Sequence, residues 1–155
     1  MDLFFVRHGL AVDKAIPDMT RPLTREGVRR TRKVAEFLKS HGVYWEMLLT
    51  SPLVRALETA HVLQDAGLSK QLEIFAPLAP GGDFRLFQDW LNEQEPKSTA
   101  ALVGHRPDLG LWVEQLVYGQ ASGKLVLKKS GVARVLWEPD QAELLWLLTP
   151  GLMEA

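Results

Sequence analysis

Leu3-Phe4-Phe5-Val6-Arg7-His8-Gly9 is the stretch on which the fold turns. Its four apolar residues form a run rich in strand formers, too short for a helix. The run stops at an arginine, a histidine and a glycine, so strand one delivers its charged residues at its carboxyl end. Residues 10–23 contain Pro17, Asp18 and Pro22 and read as a loop. Thr24 is placed to cap a helix with Glu26 in its first turn; Val28, Thr31, Val34, Ala35 and Leu38 recur at helical spacing until Gly42.

The alternation continues outward. Met47 to Thr50 reads as a short strand. Ser51 and Pro52 read as an N-cap and first helical residue, opening a helix that runs to about Ala66. Leu72 to Phe75 reads as a strand and 77–82 as a loop. Asp83 then caps a helix carrying Phe84, Phe87, Trp90 and Leu91. Thr99 to Val103 forms a strand ending at Gly104-His105, and Pro107 opens a helix through Val117. Residues 124–148 supply two or three closing strands, broken at Ser130-Gly131 and Pro139-Asp140. Strands alternating with helices predict an α/β sandwich with a mostly parallel sheet and an antiparallel edge strand. With no repeat, linker or low-complexity tract, residues 1–155 read as one domain.

Composition removes several functions. There is no cysteine, so thiolate catalysis and cysteine-ligated zinc are excluded. The formal net charge of −1 gives no global attraction for nucleic acid or an anionic membrane. The N-terminal segment has neither a basic n-region nor a long apolar core, and no apolar run reaches membrane-spanning length. The expectation is a cytoplasmic protein whose affinity for anions is local.

That local site is foreseen beyond the strand ends. Arg7 and His8 follow strand one, Arg55 follows the second strand, and His105 follows the strand ending at Val103. Ligands of open α/β sheets bind there. Arginine offers a planar, permanently charged fork matched to phosphate oxygens. A histidine with an ordinary pKa of about 6.5 is mostly neutral at pH 7 and can act as a nucleophile. Arg55 also stands in the first turn of its helix, where a cation is disfavoured by about 0.3–1 kcal/mol unless an anion binds beside it. Taken singly, each residue has a plainer reading. Arg55 could pair with Glu58, and His105 could be a structural histidine. Arg25, Arg29, Arg30, Arg32 and Lys33 read as a solvated helix face, with docking of an acidic partner as the alternative. The five tryptophans read as core or core rim, and His41 and His61 as structural.

Together, Arg7-His8-Gly9, the segment Ser51 to Ala60 (SPLVRALETA) and Gly104-His105 resemble the signature of the histidine phosphatase superfamily, which includes cofactor-dependent phosphoglycerate mutases and acid phosphatases. The short length, Arg21-Pro22-Leu23-Thr24 and Leu78-Ala79-Pro80-Gly81-Gly82-Asp83 are similar to its SixA-type phosphohistidine phosphatases. The resemblance implies a three-layer, phosphoglycerate mutase-like sandwich with no metal or other cofactor. It implies that His8 attacks phosphorus while Arg7, Arg55 and His105 hold the equatorial oxygens. It also implies phosphate or substrate contacts from Gly9 and Arg21. The substrate it implies is a phosphorylated protein bearing phosphohistidine, with inorganic phosphate as product.

The chain departs from the larger enzymes of that group at two points. No glutamate stands clearly as proton donor to the leaving group; Asp83, Asp18 and Glu58 are the candidates. Arg106 replaces the asparagine common after the second histidine. A site without a strong acid favours P–N over P–O bonds, because an imidazole already protonated on its other nitrogen departs neutral. No long insertion provides a lid. The rival readings are a small-molecule phosphomonoesterase or mutase and a non-catalytic phosphate-binding module.

Overall fold

A computed structural model of the chain describes residues 1–14 and 17–154. Positions 15, 16 and 155, within the foreseen loop and at the end of the foreseen domain, lie outside the described residues. Six strands form one sheet: β1 (Asp2–Arg7), β2 (Met47–Thr50), β3 (Leu72–Ile74), β4 (Thr99–Gly104), β5 (Val132–Glu138) and β6 (Gln141–Leu148). Their spatial order is β3-β2-β4-β1-β5-β6. β3, β2, β4 and β1 pair in parallel, while β5 runs antiparallel to both β1 and β6. The antiparallel strand foreseen at the edge is thus β5, one place inside it. The edge is β6. Local sequence pattern carries strand direction poorly and strand order not at all.

The helices are α1 (Arg25–Ser40), α2 (Val54–Asp65), α3 (Phe84–Asn92), α4 (Asp108–Tyr118) and the short α5 (Pro150–Met153). Thr24 caps α1 by accepting from Gly27 N at 2.9 Å, and Gly27, Thr31, Val34, Ala35 and Leu38 form its buried stripe. Val34, Ala35 and Leu38 meet Ala56, Ala60 and Leu63 of α2 on one face of the sheet. α3 and α4 cover the other face with Phe87, Leu91, Leu109, Trp112 and Val113. There Phe87 and Trp112 stack with centroids 4.8 Å apart. The result is the three-layer sandwich. Trp45 and Trp112 are buried, and Trp90, Trp137 and Trp146 pack at the core's margin, as foreseen. Among the described residues, no helix is long and apolar enough to cross a membrane.

Most foreseen boundaries hold, including the Asp83 cap, which accepts from Arg85 N at 2.8 Å. The opening of α2 does not. The helix begins at Val54 with Leu53 in the cap position, and Ser51 Oγ instead accepts from Leu53 N at 3.2 Å. Ser51 is thereby left facing the carboxyl ends of the strands, where its hydroxyl finds a second partner.

Candidate active site

Register brings the distant residues together. Arg7 pairs with Gly104 across β1 and β4, and Thr50 with Val103 across β2 and β4. His8, Ser51 and His105 therefore leave three adjacent parallel strands at one level. Backbone hydrogen bonds continue the ladder past the strand ends: His8 N donates to Gly104 O at 3.0 Å and Ser51 N to Val103 O at 2.9 Å. The His8 and His105 rings lie with centroids 5.1 Å apart, tilted by 57°. They line a cavity of about 430 Å³ with Arg7, Ala11, Asp13, Asp18, Arg21, Arg55, Pro80, Arg106 and Lys129. Five cations against two carboxylates make this a strongly positive concavity on a chain of net charge −1.

The loop behind His8 is held by three hydrogen bonds. Gly9 N donates to Thr59 Oγ1 of α2 at 3.0 Å, and Ser130 N donates to Arg7 O and His8 O at 3.0 and 3.2 Å. A Cβ on Gly9 would stand 2.8 Å from Thr31 Oγ1 and 3.0 Å from Ser130 Oγ, so only glycine fits. His8 Nδ1 lies 2.7 Å from Gly9 O. A carbonyl only accepts, so Nδ1 carries the proton and the Nε2 lone pair is available. Burial, with Arg55, Arg7 and Arg21 adding to it, pushes His8 down to about 4 despite the Gly9 carbonyl. Burial, then the His8 ring, then Arg55 and Arg7 push His105 down to about 3. Both rings are neutral at pH 7, which makes His8 Nε2 a competent nucleophile.

The arginines are positioned rather than satisfied. Arg7 donates from one terminal nitrogen to Leu127 O at 3.0 Å, and burial together with Arg106 lowers its pKa. Arg55, 6% exposed, reaches Asp18 O at 3.2 Å and Asp18 Oδ2 at 3.4 Å. Arg7 Nε, Arg55 Nε and His105 Nδ1 are all buried without a hydrogen-bond partner among the described residues. Three orphaned polar atoms on the residues of one pocket are unusual, because each costs about 1–3 kcal/mol unless a ligand completes it. A tetrahedral oxyanion has the oxygens to do so.

Residues 3–76 match the model of the histidine phosphatase superfamily (branch 1). Over 155 aligned residues the chain is 30% identical to the phosphohistidine phosphatase SixA of Escherichia coli, covering 93% of this chain and 96% of that protein. The chain belongs to the histidine phosphatase superfamily. It is also 45% identical, over 136 residues, to an uncharacterised protein of Picosynechococcus, covering 85% of this chain and 82% of the relative. Its structure superposes on that of the protein histidine phosphatase SixA complexed with tungstate with a TM-score of 0.91 and 29% identity, covering 99% of each chain. The protein is therefore a phosphatase, an enzyme acting on a phosphorylated substrate, on a SixA-like fold.

Within this histidine phosphatase the foreseen site residues separate clearly. His8, Arg7, Arg55, His105 and Arg21 line one pocket. Gly9 stands behind it as backbone support. Arg21 is held by Asp18 Oδ1 at 2.7 Å and Val12 O at 2.9 Å. Of the three candidate acids, only Asp18 lines the pocket, and its hydrogen bond from Arg21 lowers its pKa, with Arg55 adding to this. Asp83 is spent on the α3 cap and Arg85. Glu58 accepts from Leu23 N at 2.7 Å, so the foreseen alternative pairing of Arg55 with Glu58 gives way to Arg55 with Asp18. Among the described residues, no group of three or more His, Asp or Glu is placed to hold a metal ion.

Several contributors escaped the sequence reading. Asp13 and Lys129 line the pocket, and Thr59 and Ser130 brace the His8 loop. The Lys128-Lys129 pair before Ser130-Gly131 was the available signal for Lys129. Thr59 carried none, because its role depends on α2 packing against the loop.

Proposed function

We propose that this phosphatase, one domain over residues 1–155, is a cytoplasmic phosphohistidine phosphatase working through a phosphohistidine on His8. The observation that carries the reading is the trio of buried nitrogens without a partner among the described residues (Arg7 Nε, Arg55 Nε and His105 Nδ1), all on residues that line the pocket of a neutral nucleophilic imidazole. The relative whose structure holds tungstate, a tetrahedral oxyanion, supports the same filling of this pocket.

The mechanism is a double displacement. The His8 Nε2 lone pair attacks phosphorus in line as the donor's P–N bond breaks, and the bonding electrons return to the donor's imidazole. Arg7, Arg55 and His105 bear the equatorial oxygens, whose charge dominates the barrier, and Arg21 adds a contact. The proton on His8 Nδ1 stays with the Gly9 carbonyl and offsets the charge of the phosphorylated ring. Water then attacks phosphorus, His8 departs as neutral imidazole, and inorganic phosphate leaves.

Two observations favour a P–N substrate. Asp18, the one candidate proton donor that lines the pocket, is shifted towards its anion by its hydrogen bond from Arg21. An alkoxide leaving group therefore lacks a donor, whereas a protonated phosphoimidazole needs none. The pocket's rim carries exposed Arg106 and Lys129, which suit a phosphoryl group displayed on a protein surface. The test offers a phosphohistidine protein and a panel of phosphate monoesters to the enzyme in rapid-quench experiments. Acid-labile phosphate on His8, formed at least tenfold faster from the phosphohistidine protein and absent in His8→Ala, is expected. Faster reaction with a sugar phosphate would favour the monoesterase or mutase reading. Binding of phosphate without any phosphoenzyme would favour a non-catalytic module.

A further inference from the structure

Ser51 has no part in the chemistry just described, yet it is fully buried against the second histidine. Its Oγ lies 2.7 Å from His105 Nε2 and accepts from Leu53 N at 3.2 Å. A serine oxygen has two lone pairs and one proton. The Leu53 amide occupies one lone pair, so the contact with Nε2 can be made in two ways. If Nε2–H donates to Ser51, the hydroxyl proton has no acceptor among the described residues, and a buried hydroxyl is left unsatisfied. His105 Nδ1 would then carry a lone pair on a ring that lines a pocket built for anionic oxygens. If instead the Ser51 hydroxyl donates to Nε2, every polar atom of Ser51 is satisfied. Nδ1 then carries the ring's proton, and it is the buried nitrogen with no partner among the described residues.

We infer that Ser51 is a positioning residue that locks His105 as its Nδ1–H tautomer, making this neutral ring a hydrogen-bond donor to the transferring phosphoryl group. This deepens the proposed phosphoryl-transfer reading and rests on it only for the consequence in rate. His8 and His105 then share one tautomer for opposite uses. His8 has its Nδ1 proton tied to Gly9 O and works through the Nε2 lone pair. His105 has Nε2 tied to Ser51 and works through the Nδ1 proton. An uncapped ring would exchange tautomers and spend part of its time turning a lone pair against phosphate.

The tautomer is read directly from long-range ¹H–¹⁵N correlations of His105 in the ligand-free protein at pH 7, which require no turnover. A protonated Nδ1 and an unprotonated Nε2 are expected, with inorganic phosphate shifting the Nδ1 proton. Ser51→Ala should bring in the Nε2–H form and lower the rate of phosphoenzyme formation about 10- to 100-fold, the scale typical when a metal-ligating histidine loses its orienting partner. Ser51→Thr, which keeps a hydroxyl, should restore most of both. His105→Asn, whose amide occupies the place of Nδ1–H, should retain at least tenfold more activity than His105→Gln, whose amide reaches the place of Nε2. A wild-type spectrum with Nε2 protonated overturns the inference, as does a Ser51→Ala enzyme of unchanged tautomer and rate. Failure of the wild type to form any phosphoenzyme would instead overturn the proposed function, while the spectrum still decides the tautomer.

Discussion

Arg7, Arg21, Arg55 and Arg106 line the pocket around His8, and Arg25, Arg29, Arg30, Arg32 and Lys33 crowd the outer face of α1 just as densely. Along α1 the cations are exposed and several meet nearby carboxylates. Arg29 donates to Glu26 at 3.0 and 2.6 Å, Arg30 lies 3.5 Å from Glu154 and Lys33 3.7 Å from Glu36. Such surface pairs are worth little and ask for no ligand. In the pocket, Arg55 is desolvated, its Asp18 contact is long, and its Nε has no partner among the described residues. Density of positive charge is the same in both places. Burial without adequate counter-charge is what distinguishes the proposed phosphate site from a solvated helix face.

Substitutions on the two sides should part company sharply. Arg55→Ala should lower kcat by about 10²- to 10³-fold, the usual cost of one transition-state donor. It should also abolish the rise in Tm that phosphate or tungstate gives the wild type, measured by thermal unfolding across a ligand titration. Retention of either would dissolve the contrast.

Acid sensitivity sharpens it further. His8 and His105 stay neutral in the fold down to about 4 and about 3, but take up protons near their ordinary pKa of about 6.5 when unfolded. The unfolded chain therefore binds more protons below that pH, and stability falls as pH drops from about 6.5 toward 4 and 3. Urea midpoints should decline across this window in the wild type and decline less in His105→Gln. Equal slopes would mean that the ring is not desolvated. The smallest effect is expected on the other side: Arg29→Ala and Arg32→Ala should change small-donor turnover less than twofold and stability by less than about 0.5 kcal/mol. A selective rise in KM for a phosphoprotein would turn that face into a docking surface.

Much of this was legible from residues alone. The Leu3–Val6 run, the stripe of α1 and the breaks at Gly42 and Gly67 mark their elements through local periodicity and turn chemistry, which the folded chain keeps. His8, Arg7, Arg55 and His105 could be grouped because each follows a strand, and parallel strands end on one side. Ser51 was misread for a physical reason. Ser-Pro before an apolar helix has the composition of a cap, and only the register of β2 against β4 reveals that the hydroxyl serves a histidine 54 residues away. The inner position of β5 was equally hidden, since it depends on which edge of β1 remains open once β4 has paired with the other.

The turn at Ser130 has a consequence for how the enzyme can open. Ser130 adopts a positive φ of 60° and bonds Arg7 O and His8 O, while its hydroxyl meets Thr31 Oγ1 at 3.0 Å. The β5–β6 hairpin supplies none of the proposed reacting groups, yet this one knot splints the loop of His8 to it. Slow exchange of the loop's amide hydrogens should therefore report on unzipping of the hairpin, and a loosened Pro139-Asp140 corner would be heard at His8, far from where the change was made.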